Sequence, residues 1–363
     1  GDVVQLPQGG GLYRIDRSEH AEMQQAEAVR IEPGVYAPSD MADDPASAKP
    51  FAAPAPVLPV FMDLPLITGD EEPHAPLLAV GADPWPGSVA VYTSNTDEDY
   101  ALAEVIASQA VIGFTETPMA RATVGVWDEG EPLQVSLISG ALESRPRSSL
   151  LSGANLAAIG DGTPGNWELF QFGTAELQGA GVYNLSGRLR GQLGSDAQMP
   201  DIWPVGSTFV LLDERVIQTG LLRSERGVAK HYRIGPATRS YDDEAYEHLV
   251  EAFDGNGLRP YAPVHLRVRK GVGGDDVFWV RRTRLDGDDW TGLDVPLAEE
   301  TEAYLLRIRK DGALVREEVI EEPMWHYADA AKTGDGVIGA YDVEIAQVSA
   351  TYGPGPFAGL TVG

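Results

Sequence analysis

Along most of the chain, apolar positions either alternate with polar ones or run together over short stretches, and turn-forming residues close each run. Between Val60 and Leu150 the runs are VFMDLPLI, SVAVYTS, AVIGF, ATVGVW and LQVSLIS. Lengths and spacings of this kind predict β-strands rather than amphipathic helices. GVYNLSGRLRG shows the period most plainly. Tyr183, Leu185 and Leu189 are apolar, whereas Asn184, Ser186, Arg188 and Arg190 are polar. A period of two predicts a strand with one buried and one wet face, both arginines lying on the wet one. Gly187 and Gly191 then mark bends or bulges.

Further on, VHLRVRK places Val264, Leu266 and Val268 on one face, and YLLRIRKDGALVREEVI reads as a hairpin turning at Asp311–Gly312. Trp279, Trp325 and Tyr341 are spaced for the core of a two-sheet sandwich. Two stretches compete with this pattern. YALAEVIASQ predicts a short helix. In YDDEAYEHLVEAF, Tyr241, Ala245, Leu249 and Phe253 line a helix capped by Ser240, but fit equally a strand feeding the turn DGNG. Neighbouring strands favour the second reading.

The whole therefore reads as all-β, several sandwich or barrel domains in series. Residues 1–41 are the end of an upstream β-domain, and 42–59 a linker in which Pro45, Pro50, Pro54, Pro56 and Pro59 favour an extended path. Residues 60–150 and 151–260 are two β-domains, and 261–363 a final sandwich. A chain of 363 residues has room for about three compact cores. Its 41 glycines and 26 prolines supply the turns that such an architecture needs. It opens on Gly1 directly in a strand-like run, so we expect it to be the C-terminal piece of a longer protein.

The net charge of −28 disfavours non-specific attraction to nucleic acid or an anionic membrane. Residues 1–150 hold 23 acidic against 7 basic side chains, so much of that charge lies in the front half as a solvated surface. The absence of cysteine removes disulfides, thiol nucleophiles and Cys-ligated zinc, and fits assembly in a reducing cytoplasm. No apolar run approaches the roughly 18 residues of a membrane span.

Several longer motifs carry a resemblance. LLSGANLAAIGDG, WELFQFGTAEL, VYNLSGRLRGQLGSD and STFVLLD occur in the order found in tail-tip proteins of long-tailed, non-contractile phages. They resemble in particular the large baseplate protein of gene transfer agents, a family sometimes called the megatron. DVVQLPQGGGLYRIDR resembles the hub barrel that precedes these motifs, and LRPYAPVHL the bridge into the last domain. That domain is similar to fibronectin type III, with Trp279 at the early core tryptophan and Tyr304 at the mid-strand tyrosine. Arg188 departs from the family pattern, which is apolar there.

The resemblance implies a structural role at the tip of a virion-like tail, with Trp167, Tyr183, Leu185, Arg188, Arg190, Trp279 and Tyr304 as structural motif positions. It implies a homotrimer contacting a hub, a distal-tail protein and fibres, made in the bacterial cytoplasm and helping particles to attach to and enter a host cell. It also implies an upstream glycoside-hydrolase-like barrel in full-length members. The strand–helix alternation that such a barrel needs is missing from this sequence, so no enzymatic activity, cofactor or metal is expected of it.

A phosphate cradle at Arg188 and Arg190 requires a glycine-rich loop opening a helix, and nothing helical follows LRGQLGSD. Surface arginines paired with carboxylates or a neighbouring chain are the expectation. His20, His74, His231, His248, His265 and His326 are scattered, with no HExxH spacing. No GxSxG elbow occurs. The carboxylate runs Asp70–Glu71–Glu72, Asp97–Glu98–Asp99 and Asp286 with Asp288–Asp289 read as solvated loops. Asn95, Asp97 and Asp99 alternate as in a calcium loop but lack its glycine and distal glutamate. Trp85 and Trp127 are candidate platforms for stacking envelope polysaccharide, or else packed lids; a glycan-binding module is the alternative function.

Overall fold

A computed structural model describes residues 2–7, 10–35, 56–287 and 294–363. The chain divides into two compact units, residues 1–53 and 54–363. The first is a three-stranded antiparallel meander of β1 (Val3–Gln5), β2 (Leu12–His20) and β3 (Gln24–Ile31). Most of its side chains are exposed. The expected linker falls largely outside the described residues. Its last two residues differ from expectation, because Leu58 and Pro59 already belong to β4 (Leu58–Met62). Pro59 is tolerated there because β4 lies at the edge of its sheet.

The second unit continues with β5 (Leu77–Gly81), β6 (Val89–Ser94) and β7 (Ala101–Ile106). Then come β8 (Ile112–Thr115), β9 (Met119–Ala120), β10 (Trp127–Asp128), β11 (Leu133–Leu137) and a single turn, α1 (Arg147–Leu150). Next are β12 (Leu156–Gly160), β13 (Trp167–Gly179), β14 (Val182–Leu189), β15 (Ile202–Trp203) and β16 (Thr208–Leu211). The strands β17 (Ile217–Gln218), β18 (Lys230–Pro236) and β19 (Glu247–Glu251) precede the C-terminal part. With 46% of the described residues in strand and 8% in helix, the fold is all-β, built of a closed barrel and several sheets.

The barrel has six antiparallel strands in the order β14–β11–β8–β16–β12–β13, closed by pairing of β13 with β14. Leu133, Val135, Ile159, Phe170, Phe172, Leu185 and Phe209 fill its interior. The outer faces of β8, β12, β13 and β16 are buried too. Ile112, Ala158, Trp167, Leu169 and Val210 pack there against Val60 and Met62 of β4 and Ala79 of β5. This two-sided burial explains why WELFQF lacks alternation: every residue from Trp167 to Phe172 is buried.

Around the barrel, the sheets β19–β18–β6–β7 and β17–β5–β4 enclose a second core of Phe61, Leu78, Val91, Tyr232, Ile234 and Phe253. This layer is discontinuous in sequence, because β18 pairs with β6 across the inserted barrel. The expected boundary at 150 therefore separates no two sheets, since β8 and β11 pair with β16 and β14 in one barrel. Short-range patterns locate strands but carry no information on partners a hundred residues away. The helix expected over YALAEVIASQ is also overturned. It is strand β7, recruited by the hydrogen-bonding edge of β6. The strand expected at EHLVE is present as β19.

The C-terminal part holds β20 (Val264–Gly271), β21 (Gly274–Val280), β22 (Tyr304–Lys310), β23 (Ala313–Ile320) and β24 (Met324–Ala328). After the short helix α2 (Asp329–Gly334) come β25 (Tyr341–Ser349), β26 (Gly353–Pro354) and β27 (Ala358–Val362). The sheet β20–β21–β24 faces a second sheet in which β23, β22 and β25 are consecutive and β25 pairs with both β26 and β27. Val277, Trp279, Leu306, Ile308, Tyr327, Tyr341 and Val343 form the core. Trp279 meets Tyr304 edge-on, with ring centroids 5.1 Å apart. The β22–β23 turn has Asp311 and Gly312 at φ 49° and 82°, the left-handed pair of a two-residue hairpin.

Candidate functional site

The strand β14, which carries Arg188 and ends just before Arg190, follows the expected alternation only as far as Leu185. Tyr183 and Leu185 point into the barrel, with 8% and 0% exposure. At Gly187 the backbone takes φ 63°, and the phase changes. Arg188 then lies opposite Phe172, a residue of the barrel interior. Both arginines are therefore buried, Arg188 at 3% and Arg190 at 0% exposure, which corrects the wet-face expectation.

What permits two buried guanidiniums is a closed set of partners. The Arg190 Nε and Nη2 donate to the two oxygens of buried Glu168 at 2.6 and 2.8 Å. The Trp203 indole donates to the same carboxylate at 2.7 Å. Arg190 Nη1 reaches the Ala120 carbonyl at 2.9 Å and Asp128 at 3.3 Å. Arg188 Nε donates to Asp128 at 3.0 Å, and its Nη1 to the Glu131 carbonyl at 2.9 Å. Burial alone pushes the Asp128 carboxyl up, but hydrogen bonds from Arg188, Gly130 and Arg190 outweigh it and hold the pKa low. Two cations face two anions, and each carboxylate is saturated by donors. The arrangement ties β9, β10, β13, β14 and β15 together at one corner of the barrel, with no charge left to meet a ligand.

The remaining motif residues are buried as well. Trp167 packs between the barrel and β4, while Trp279 and Tyr304 sit in the sandwich core. Trp85 leans on the core beneath the discontinuous layer. Trp127 is half-buried, with the Arg147 guanidinium 4.5 Å from its ring centroid. Neither indole is a bare platform. Of the acidic runs, Glu71 folds back on its own loop and accepts from the Thr68 and Gly69 amides, which holds its pKa low against partial burial. Asp288 and Asp289 lie outside the described residues.

A junction joins the barrel, the discontinuous layer and the sandwich. Asp63, at the end of β4, is 4% exposed and accepts the Gly255 and Asn256 amides at 2.9 and 2.7 Å. The Asn256 side chain donates to the Asp63 carbonyl and accepts from the Tyr352 hydroxyl at 2.9 Å. Asp63 N donates to the Pro164 carbonyl at 2.8 Å. Burial pushes the Asp63 carboxyl up to about 6, against the pull of the amides. Nearby, Arg282 pairs with Asp196 at 2.8 Å and lies over Tyr261, which itself packs on Gly194. A groove here is lined by Arg281, Arg282 and Arg284, but each is ion-paired, to Asp294, Asp196 and Glu299.

A further group of side chains was not legible in the sequence. His231 on β18 and His248 on β19 are diagonal neighbours, because His231 pairs with Val250 and Arg233 with His248. Their Nδ1 and Nε2 atoms lie 3.2 Å apart. Asp97 reaches His248 and Arg233 at 3.5 Å each. Only the pairing register, which the sequence does not print, brings positions 17 residues apart together. Asp97 is thus an ion-pair partner, held at φ 57° and at a low pKa chiefly by the Tyr100 hydroxyl.

Among known proteins, residues 110–210 match the family model described as "Rcc01698-like, C-terminal". Those bounds nearly coincide with the barrel, which runs from Ile112 to Leu211. No curated protein matches the chain.

Proposed function

We propose that the chain is a structural component of the tail tip, or baseplate, of a phage-like particle of the gene-transfer-agent kind. The observation that carries the reading is the coincidence of the family match with the closed barrel. The tail motifs quoted above lie on barrel strands, where they serve packing and ion pairing. The three-stranded sheet facing β23–β22–β25–β27 supports a fibronectin type III-like last domain. In this reading the chain makes and breaks no bond. It associates as a trimer with a hub, a distal-tail protein and fibres at the end of the tail, and takes part in host attachment or entry.

Immunogold electron microscopy of particles, with antibody raised to residues 261–363, tests this. Gold confined to one tail end is expected. Unlabelled particles, with the protein free or bound to cell envelopes, would overturn the reading and return attention to glycan binding. In that case Trp85→Ala and Trp127→Ala would be the variants to compare for polysaccharide retention.

A further inference from the structure

We propose that Asp97, His231 and His248 form a surface site for a divalent transition-metal ion of the zinc class. One carboxylate and two imidazoles are a donor set suited to such ions, with a fourth position left for water or a partner's side chain. One ligand atom from each residue lies within 4.8 Å of the other two. The two closest separations, 3.2 Å between the imidazole nitrogens and 3.5 Å from His248 to Asp97, bracket the edge of a tetrahedral site. That edge is about 3.3–3.4 Å for ligands about 2.0–2.1 Å from the ion.

The imidazoles lie within 13° of parallel, with centroids 5.4 Å apart, so their nitrogens meet nearly head-on in an N–H···N hydrogen bond. Loading a metal exchanges that bond for two metal–nitrogen bonds, each ring swinging so that its lone pair leaves the shared line. His248, 37% exposed on the edge strand β19, makes the larger swing at little cost, and the partly buried His231 the smaller one. The Arg233 guanidinium opposes the ion electrostatically. It is not fixed on Asp97 alone, since it also lies 5.2 Å from the Tyr100 ring centroid. A bound ion would pin the 95–99 loop to the exposed edge of the β18–β19 pair. The proposal stands independently of the tail-tip reading.

Titration of tag-free full chain with Zn2+ by calorimetry, and with Co2+ by visible absorption, tests it. One saturable site is expected, with the strong visible bands of tetrahedral Co2+. His248→Ala and His231→Ala should each lower affinity by more than the roughly 10–100-fold typical of losing an outer-shell partner. His326→Ala, which removes the separate His326–Asp276 pair, should leave it unchanged. Thermal melts without metal would show that the variants are folded. Failure of the wild type to bind one equivalent would overturn the site. So would binding that survives both His231→Ala and His248→Ala.

Discussion

Arg190 is fully enclosed, and the Glu168 carboxylate that receives its two hydrogen bonds is equally buried. Removing one member leaves an uncompensated charge where water cannot reach it. Breaking a buried pair in this way typically costs about 3–5 kcal/mol, whereas replacing both members by apolar groups is often far milder. Arg190→Met should therefore lower stability by roughly that amount in urea denaturation. The double variant Arg190→Met/Glu168→Leu should recover part of the loss, though not all, because the Trp203 indole also loses its acceptor. Equal loss in the single and double variants would mean that the pair is not the source. The sequence supplied both arginines and the idea of carboxylate partners; it placed them on the wrong side of the strand.

At the level of the strand, that error has a single physical origin. Alternation was legible at Tyr183 and Leu185, and it failed where Gly187 adopts a left-handed backbone. A glycine in a strand announces a bend, but not whether the side-chain phase survives it. A Cβ at Gly187 meets nothing within 4 Å, so Gly187→Ala should cost only the conformational penalty, about 1–2 kcal/mol. Gly194 shares the positive φ but differs in its surroundings. A Cβ there would lie 2.3 Å from the Tyr261 ring, so Gly194→Ala must also displace the barrel–sandwich contact. Calorimetry should show a larger loss for Gly194→Ala than for Gly187→Ala; the reverse order would contradict this account of the junction. The β22–β23 hairpin was legible because Asp311–Gly312 encodes its turn locally. Strand β7 was misread as a helix because the edge of β6 that recruits it is a tertiary fact.

Across the whole molecule, the architecture class was readable from strand lengths and turns, while the return of β18 to β6 and the Asp97–His231–His248 group were not. Both depend on which strands pair, and one local pattern is compatible with many pairings. Asp63 belongs to the same category, since nothing in VFMDLPLI marks its aspartate as the point where three parts of the fold meet. Its behaviour gives a test of that junction. The carboxyl titrates at an ordinary value of 3.8 when the chain is unfolded and is pushed up to about 6 in the fold. Below pH about 4 both states carry the proton, and the residue imposes no ionic penalty. As pH rises from there to about 6, the unfolded state ionises while the folded state holds its proton, so stability falls; above that it levels off. The difference of the two pKa values corresponds to about 3 kcal/mol, undiluted by solvent because the side chain is enclosed. Asp63→Asn cannot ionise and pays a fixed penalty, because its amide faces one of the two backbone N–H donors. The stability advantage of wild type over Asp63→Asn should therefore shrink between pH 4 and pH 7 by up to that amount. Comparing two chains that differ only here cancels the opposite trend from exposed acids such as Glu300, whose hydrogen bonds, chiefly from Thr351, hold its pKa at about 2. A difference that stays flat would mean that the carboxyl is solvated in the fold, and one that grows with pH that the Gly255 and Asn256 amides outweigh burial; either would contradict this account of the junction.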